Sequence, residues 1–217
     1  AAAPSVLIKA MTQRYNALKN VEVCHLHTEG EAPYANHIYK DSFCVNSFFV
    51  GGNVRHTLKS SNGSYTPVFL SELPLLFKRN IIPIDVALIQ VSPPDKHGYC
   101  SLGVSIEATL AAISNAKHVI AQVNSFMPRT HGDGIIHISE LDTFVEENSP
   151  LVELNIPEST AEAQKIGDYI AELIDDRSTL QLGIGVIPNA VLKRLGNHKD
   201  LGLHTEMLSD GVIDLIL

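Results

Sequence analysis

Apolar side chains recur at helical spacing from Val6 to Leu18 (Val6, Leu7, Ala10, Met11, Leu18), which predicts an opening helix. Val21–Leu26 reads as a strand. The short apolar run Ser47–Val50 ends at Gly51-Gly52, and a helix is expected from Asn53. Ser71–Lys78 reads as a further short helix. Asp85–Val91 is the clearest buried strand, a continuous apolar run of the kind found in parallel sheets. Pro93, Pro94 and Gly98 mark Ser92–Cys100 as an irregular loop. Ser105 is placed to cap a helix through Ala116, with Ile106, Leu110 and Ile113 on one side. His118–Val123 is the next strand. Strand, helix and strand at this spacing form a βαβ unit with a right-handed parallel crossover.

Ile135–Ile138 and Thr143–Val145 are shorter strands. Residues 146–158 are polar and proline-broken, apart from Leu151–Leu154. This places a boundary between a first α/β domain, 1–155, and the start of a second, 156–217. Ser159 is a good N-cap for a helix to about Ile174. Thr179–Leu182 is a strand that runs into a glycine turn. Pro188 suits the first position of a helix ending at Leu195, before Gly196-Asn197. Leu201–Thr205 is the last strand, with Glu206 at its C-terminal end. The expected class is α/β: an open, mostly parallel sheet with flanking helices.

Composition narrows the function. Of 217 residues, 45% are hydrophobic and 18% charged, enough for a large core and against disorder. The formal charge is −8 and the lysines and arginines are scattered, so no nucleic-acid footprint is expected. No apolar stretch is long enough to span a bilayer, and no signal peptide is recognisable. Cys24, Cys44 and Cys100 are odd in number and lack C-x-x-C spacing, which suits reduced thiols in the cytoplasm. Both ends of the chain are abrupt, and the expectation is a fragment of a two-domain enzyme.

One region combines groups able to do chemistry. In open α/β sheets, ligands bind beyond the C-terminal ends of strands. Gly183-Ile184-Gly185 and Glu206 both sit at such ends, on consecutive strands of one βαβ unit. Glycines let the backbone approach a ligand closely, and a helix N-terminus favours negative charge. An ordinary strand-to-helix turn needs the same glycines, and a solvated strand end often carries a carboxylate. His204 shares a strand face with Glu206 and is a candidate to tune it.

Elsewhere, the loop Pro93–Gly103 either shapes a substrate cleft or simply makes a crossover. His25 and His27 share a strand face, but no Cys/His/Asp cluster has zinc spacing, so partnered, non-ligand histidines and no metal are expected. Arg129 is expected in a structural salt bridge.

The run GIGVIPNAV (Gly183–Val191), a strand ending His204-Thr205-Glu206-Met207, and Ser209-Asp210-Gly211 resemble the acetyl-CoA hydrolase/transferase family. The likeness is greatest to its 4-hydroxybutyrate CoA-transferase and butyrate:acetate CoA-transferase members. Phe48-Phe49-Val50-Gly51 with Arg55, Tyr65-Thr66-Pro67, SPPDKHGYCSLG (Ser92–Gly103), AKHVIAQVN (Ala116–Asn124) and Met127-Pro128-Arg129 agree, in order, over essentially the whole chain. Val186-Ile187-Pro188 stands where succinate-type members usually carry Asn-Ile-Ala, which leans away from succinate.

The resemblance implies a sugar-isomerase/CoA-transferase-like (NagB/RpiA-like) fold in longer chains of two similar halves, with the active site between them. It implies that Glu206 attacks an acyl-CoA and then carries CoA as a glutamyl thioester. Gly183, Ile184, Gly185, Val186 and Ile187 would line the CoA site, with backbone N–H groups there as candidate oxyanion donors. Coenzyme A enters as acyl-CoA, a substrate. The other partners expected are a short-chain carboxylate (acetate, butyrate or 4-hydroxybutyrate) and further copies of the chain in a homo-oligomer. An acyl-CoA hydrolase on the same site, or a non-catalytic ligand-sensing module, are the alternatives.

Overall fold

The computed structural model describes residues 2–154 and 157–216. It divides into two compact units, Ala1–Val152 and Glu153–Leu217. The junction expected between residues 155 and 156 falls on residues outside those described.

In the first unit, helix α1 (Ser5–Gln13) turns Ile8 and Thr12 inward. Strand β1 (Val21–His25) pairs in parallel with β2 (Phe43–Ser47), and β2 with β3 (Gly63–Tyr65). Alternation explains the packing: Phe43 and Val45 join Ile8, Tyr34, Ala35 and Val54 in one core cluster. The apolar run Ser47–Val50 begins at the last residue of β2 and continues past the strand's end. Cys44 and Asn46 interrupt the strand's apolar pattern because they face the other side. The helix expected from Asn53 is a 3-10 segment, Arg55–Lys59. β3, with the sequence Gly-Ser-Tyr, carries no hydrophobic signal and was not expected.

After α2 (Leu73–Lys78) comes the buried strand β4 (Val86–Val91). The segment Ser92–Cys100, expected to be loop throughout, ends in a short strand, β5 (Tyr99–Ser101). Helix α3 (Thr109–Asn115) leads to β6 (His118–Val123), which pairs in parallel with β4 in full register from Val86↔His118 to Val91↔Val123. This is the expected βαβ unit. Ala87, Ile89, Val91, Val119, Ala121 and Val123 form the apolar side. The opposite side carries Leu88 and Ile120 and, toward the strand ends, bonded polar groups: Gln90 donates to the Ala2 and Ala3 carbonyls, Asn124 donates to Gln90, and Gln122 donates to Glu147 O. Ser105 caps no helix. Its hydroxyl accepts the Ala2 N–H at 2.6 Å, and α3 begins four residues later. β7 (Ile135–His137) pairs antiparallel with β5, and β8 (Thr143–Glu146) pairs in parallel with β6 at an exposed edge.

The second unit holds α4 (Ala161–Ala171), β9 (Thr179–Leu180), α5 (Val186–Leu192), β10 (Gly202–Leu203) and α6 (Ile213–Ile216). Thr160, not Ser159, caps α4: its hydroxyl accepts the Ala163 N–H at 3.2 Å. Its core is Ala171, Leu182, Val191, Leu192, Leu195 and Val212. The whole is mixed α/β with mostly parallel sheets, as expected.

Candidate active site

β9 and β10 run parallel, with Thr179↔Gly202 and Leu180↔Leu203 as partners. The ladder extends one step further, through His204 N–H to Leu180 O at 3.0 Å. The Thr205 side chain then takes over. Its hydroxyl accepts the Leu182 N–H at 3.0 Å and lies 2.9 Å from the Leu182 carbonyl and 3.0 Å from the Met207 carbonyl. The two predicted segments thus leave the sheet at one end, joined at the residue before Gly183 and the residue before Glu206. Glu206 lies three residues past the end of β10, in a bend, and is exposed.

The turn itself is built on Gly185. Its φ of +122° and ψ of −170° are a conformation essentially reserved for glycine. Gly185 is also the N-cap of α5, and no side chain caps that helix. The Val186 and Ile187 amides in its first turn are therefore donors without a capping partner. Pro188 is the third helical residue rather than the first, and it has no N–H to offer. Gly183, Ile184 and Ile187 are exposed. α5 is held from behind: Ser209 donates to Asn189 Oδ1 at 3.0 Å, which ties the segment after Glu206 to this helix.

A hollow of about 200 Å³ borders the turn, lined by Ile170 of α4, Ile174 just beyond it, Leu182, Gly183, and Ile187 and Val191 of α5. A larger one, about 380 Å³, is lined by Leu195, His198, Asp200 and Asp214 among others, and by none of the predicted site residues.

Other candidates resolve differently. His204 has no hydrogen bond to Glu206 among the described residues, and the strand alternation that would align them ends at Leu203. His27 Nε2 meets Glu29 at 2.5 Å, as a partnered histidine should. His25 departs from that expectation. Both its ring nitrogens are buried with no partner among the described residues, and its nearest aromatic contact is edge-on to Tyr34 at 6.3 Å. Burial pushes its pKa down to about 4, helped by the neighbouring His27. No group of three or more His, Cys, Asp or Glu able to hold a metal occurs among the described residues.

Arg129 takes the structural role: Nη2 meets Asp95 at 2.9 Å and Nη1 meets Tyr99 O at 3.0 Å. Asp95 also accepts the His97 and Tyr99 N–H groups, at 2.8 and 3.0 Å. The Tyr99 N–H above all holds its carboxyl below the usual carboxylate range. This one side chain organises the Pro- and Gly-rich loop.

Thr205, Ser209 and Asn189 stand in the sequence only as members of motifs, and their contacts here give them a role in the site that the motifs do not. A hydroxyl residue beside a carboxylate at a strand end was the available signal.

Residues 1–155 match the family model described as acetyl-CoA hydrolase/transferase N-terminal domain. The chain is 48% identical over 219 residues to a Fasciola hepatica protein named succinyl-CoA:acetate/propanoyl-CoA:succinate CoA transferase, covering 100% of this chain and 45% of that one. It is 47% identical to a 4-hydroxybutyrate coenzyme A transferase of Clostridium kluyveri, over 98% of this chain and 50% of the relative. Among solved structures, RipA from Yersinia pestis superposes with a TM-score of 0.93 at 33% identity, over 99% of this chain and 53% of that one. The chain spans about half the length of the curated relatives it matches. The family model stops before the glycine turn, whereas these three likenesses run through it.

Proposed function

Since this chain belongs to the acetyl-CoA hydrolase/transferase family, we propose that the full-length protein moves CoA between an acyl-CoA and a short-chain carboxylate through Glu206. One observation carries the reading. Thr205 bonds to Leu182, the residue before the glycine turn; Glu206 follows Thr205 with an exposed side chain, and no side chain caps the helix that begins at that turn.

A Glu206 oxygen attacks the thioester carbon. The C–S bond breaks, CoA leaves as thiolate, and a mixed anhydride remains. The thiolate then attacks the glutamyl carbonyl, releasing the first carboxylate and leaving a glutamyl-CoA thioester. An acceptor carboxylate attacks that thioester, expelling CoA thiolate and forming a second mixed anhydride; the thiolate then attacks its acyl carbonyl, which gives the new acyl-CoA and frees the Glu206 carboxylate. Two easier steps replace one hard exchange in each direction. Each tetrahedral step develops an oxyanion, and the Val186 and Ile187 N–H groups are the donors this chain offers. Gly183, Ile184 and Gly185 let CoA approach the backbone.

Acetate, butyrate and 4-hydroxybutyrate remain the proposed acids. Succinate joins them, because a relative at 48% identity is named for it; the lean against it from Val186–Pro188 is dropped. Three free thiols support the expected reducing, cytoplasmic setting.

The test is exchange by full-length variants. Glu206→Ala should abolish transfer. Glu206→Asp should leave little, because the shorter side chain misplaces the nucleophile. Near-normal exchange in the alanine variant would sink the mechanism. CoA release without any acceptor would instead point to a hydrolase.

A further inference from the structure

We propose that Thr205 is the positioning residue for Glu206; this rests on the reading that Glu206 is the nucleophile. Three contacts meet at one hydroxyl. It accepts from Leu182 N–H, and its single proton can go to either of two carbonyls, Leu182 at 2.9 Å or Met207 at 3.0 Å. With the proton on Leu182, the side chain makes a two-bond clasp to the residue before Gly183. With the proton on Met207, it bridges the bend across Glu206.

Both arrangements hold Glu206 by its backbone. Residues 205 and 207 flank it and share this hydroxyl, and Ser209 anchors the segment again on α5. The Glu206 side chain stays exposed, free to meet a thioester. The β9–β10 ladder is too short to do this alone, since its paired residues end at Leu180 and Leu203. Without the hydroxyl, the bend carrying Glu206 loses its tie to Leu182 and so to the glycine turn that follows it.

The experiment compares full-length wild type with Thr205→Val, which keeps the shape, and Thr205→Ser, which keeps the hydroxyl. Acetyl-CoA is the donor and butyrate the acceptor. Thr205→Val should lower kcat about 10- to 100-fold and leave the KM for acetyl-CoA within about threefold, since misplacement costs the chemical step more than binding. Thr205→Ser should restore kcat to within about threefold of wild type. Wild-type kcat in Thr205→Val, or an equal loss in Thr205→Ser, overturns the proposal. If Thr205→Val does not fold, Thr205→Ala is read in the same assay; failure of both to fold assigns the hydroxyl to stability and also overturns it. Borohydride trapping separates the two claims. A wild type that shows no reduced Glu206 sinks the nucleophile reading. A labelled wild type beside a fully active Thr205→Val sinks only the positioning.

Discussion

Gly167 of α4 and Ala190 of α5 meet backbone to backbone: a Cβ on Gly167 would stand 2.9 Å from the Ala190 carbonyl carbon and oxygen. Only a residue without a side chain lets the helices approach so closely. α5 starts at the glycine turn, so this contact also fixes where the candidate site begins.

That contact reverses a usual sign. At an ordinary helical position Gly→Ala stabilises by up to about 1 kcal/mol. Here Gly167→Ala should cost about 1–3 kcal/mol, because backbone cannot move aside as a flexible side chain can. Urea unfolding measures it, and an unchanged or raised midpoint would contradict the packing.

The two glycines of the turn should separate conformation from ligand approach. A Cβ on Gly185 meets nothing within 4 Å, so Gly185→Ala is penalised only through its φ of +122°, by about 1–3 kcal/mol. A Cβ on Gly183 meets only Pro188 Cγ, at an ordinary 3.6 Å. Gly183→Val should therefore leave the melting temperature nearly unchanged while weakening CoA binding by about tenfold or more. Calorimetric titration with CoA reads the second effect, and unaltered affinity would remove Gly183 from the site.

His25 predicts a pH dependence. Its folded pKa, about 4, lies below the unfolded value of 6.5, so the unfolded chain binds the proton more readily. Its contribution to stability is complete above pH 6.5. It falls as the pH drops toward 4, by at most about 1.4 kcal/mol per pH unit. Denaturation of wild type and His25→Phe from pH 7.5 to 4.5 should show a shallower loss in the variant. Parallel curves would mean that His25 is solvated in the native state.

Much of this was legible in the chain. β4 and β6 announce themselves because one side of each is continuously apolar, and α4 shows its helical period. β2 was not anticipated, because Cys44 and Asn46 alternate with Phe43 and Val45 and dilute the apolar pattern, and β3 is too short and polar to have one. Ser105 illustrates a different limit. It has the right chemistry for a cap, yet its hydroxyl serves Ala2, 103 residues away, and no local rule anticipates that. At the candidate site the glycines and Glu206 stood out by type. The Thr205–Leu182 clasp did not, because it depends on strand register, which two-residue strands hardly encode.

The central claim is a covalent intermediate on Glu206. The direct measurement is peptide mass mapping of the full-length protein after incubation with acetyl-CoA and then borohydride, which reduces a glutamyl thioester to the alcohol. The account predicts that reduction at Glu206, dependent on acyl-CoA and absent in Glu206→Ala. An unmodified Glu206 under conditions of active transfer, or reduction at another carboxylate, would contradict it.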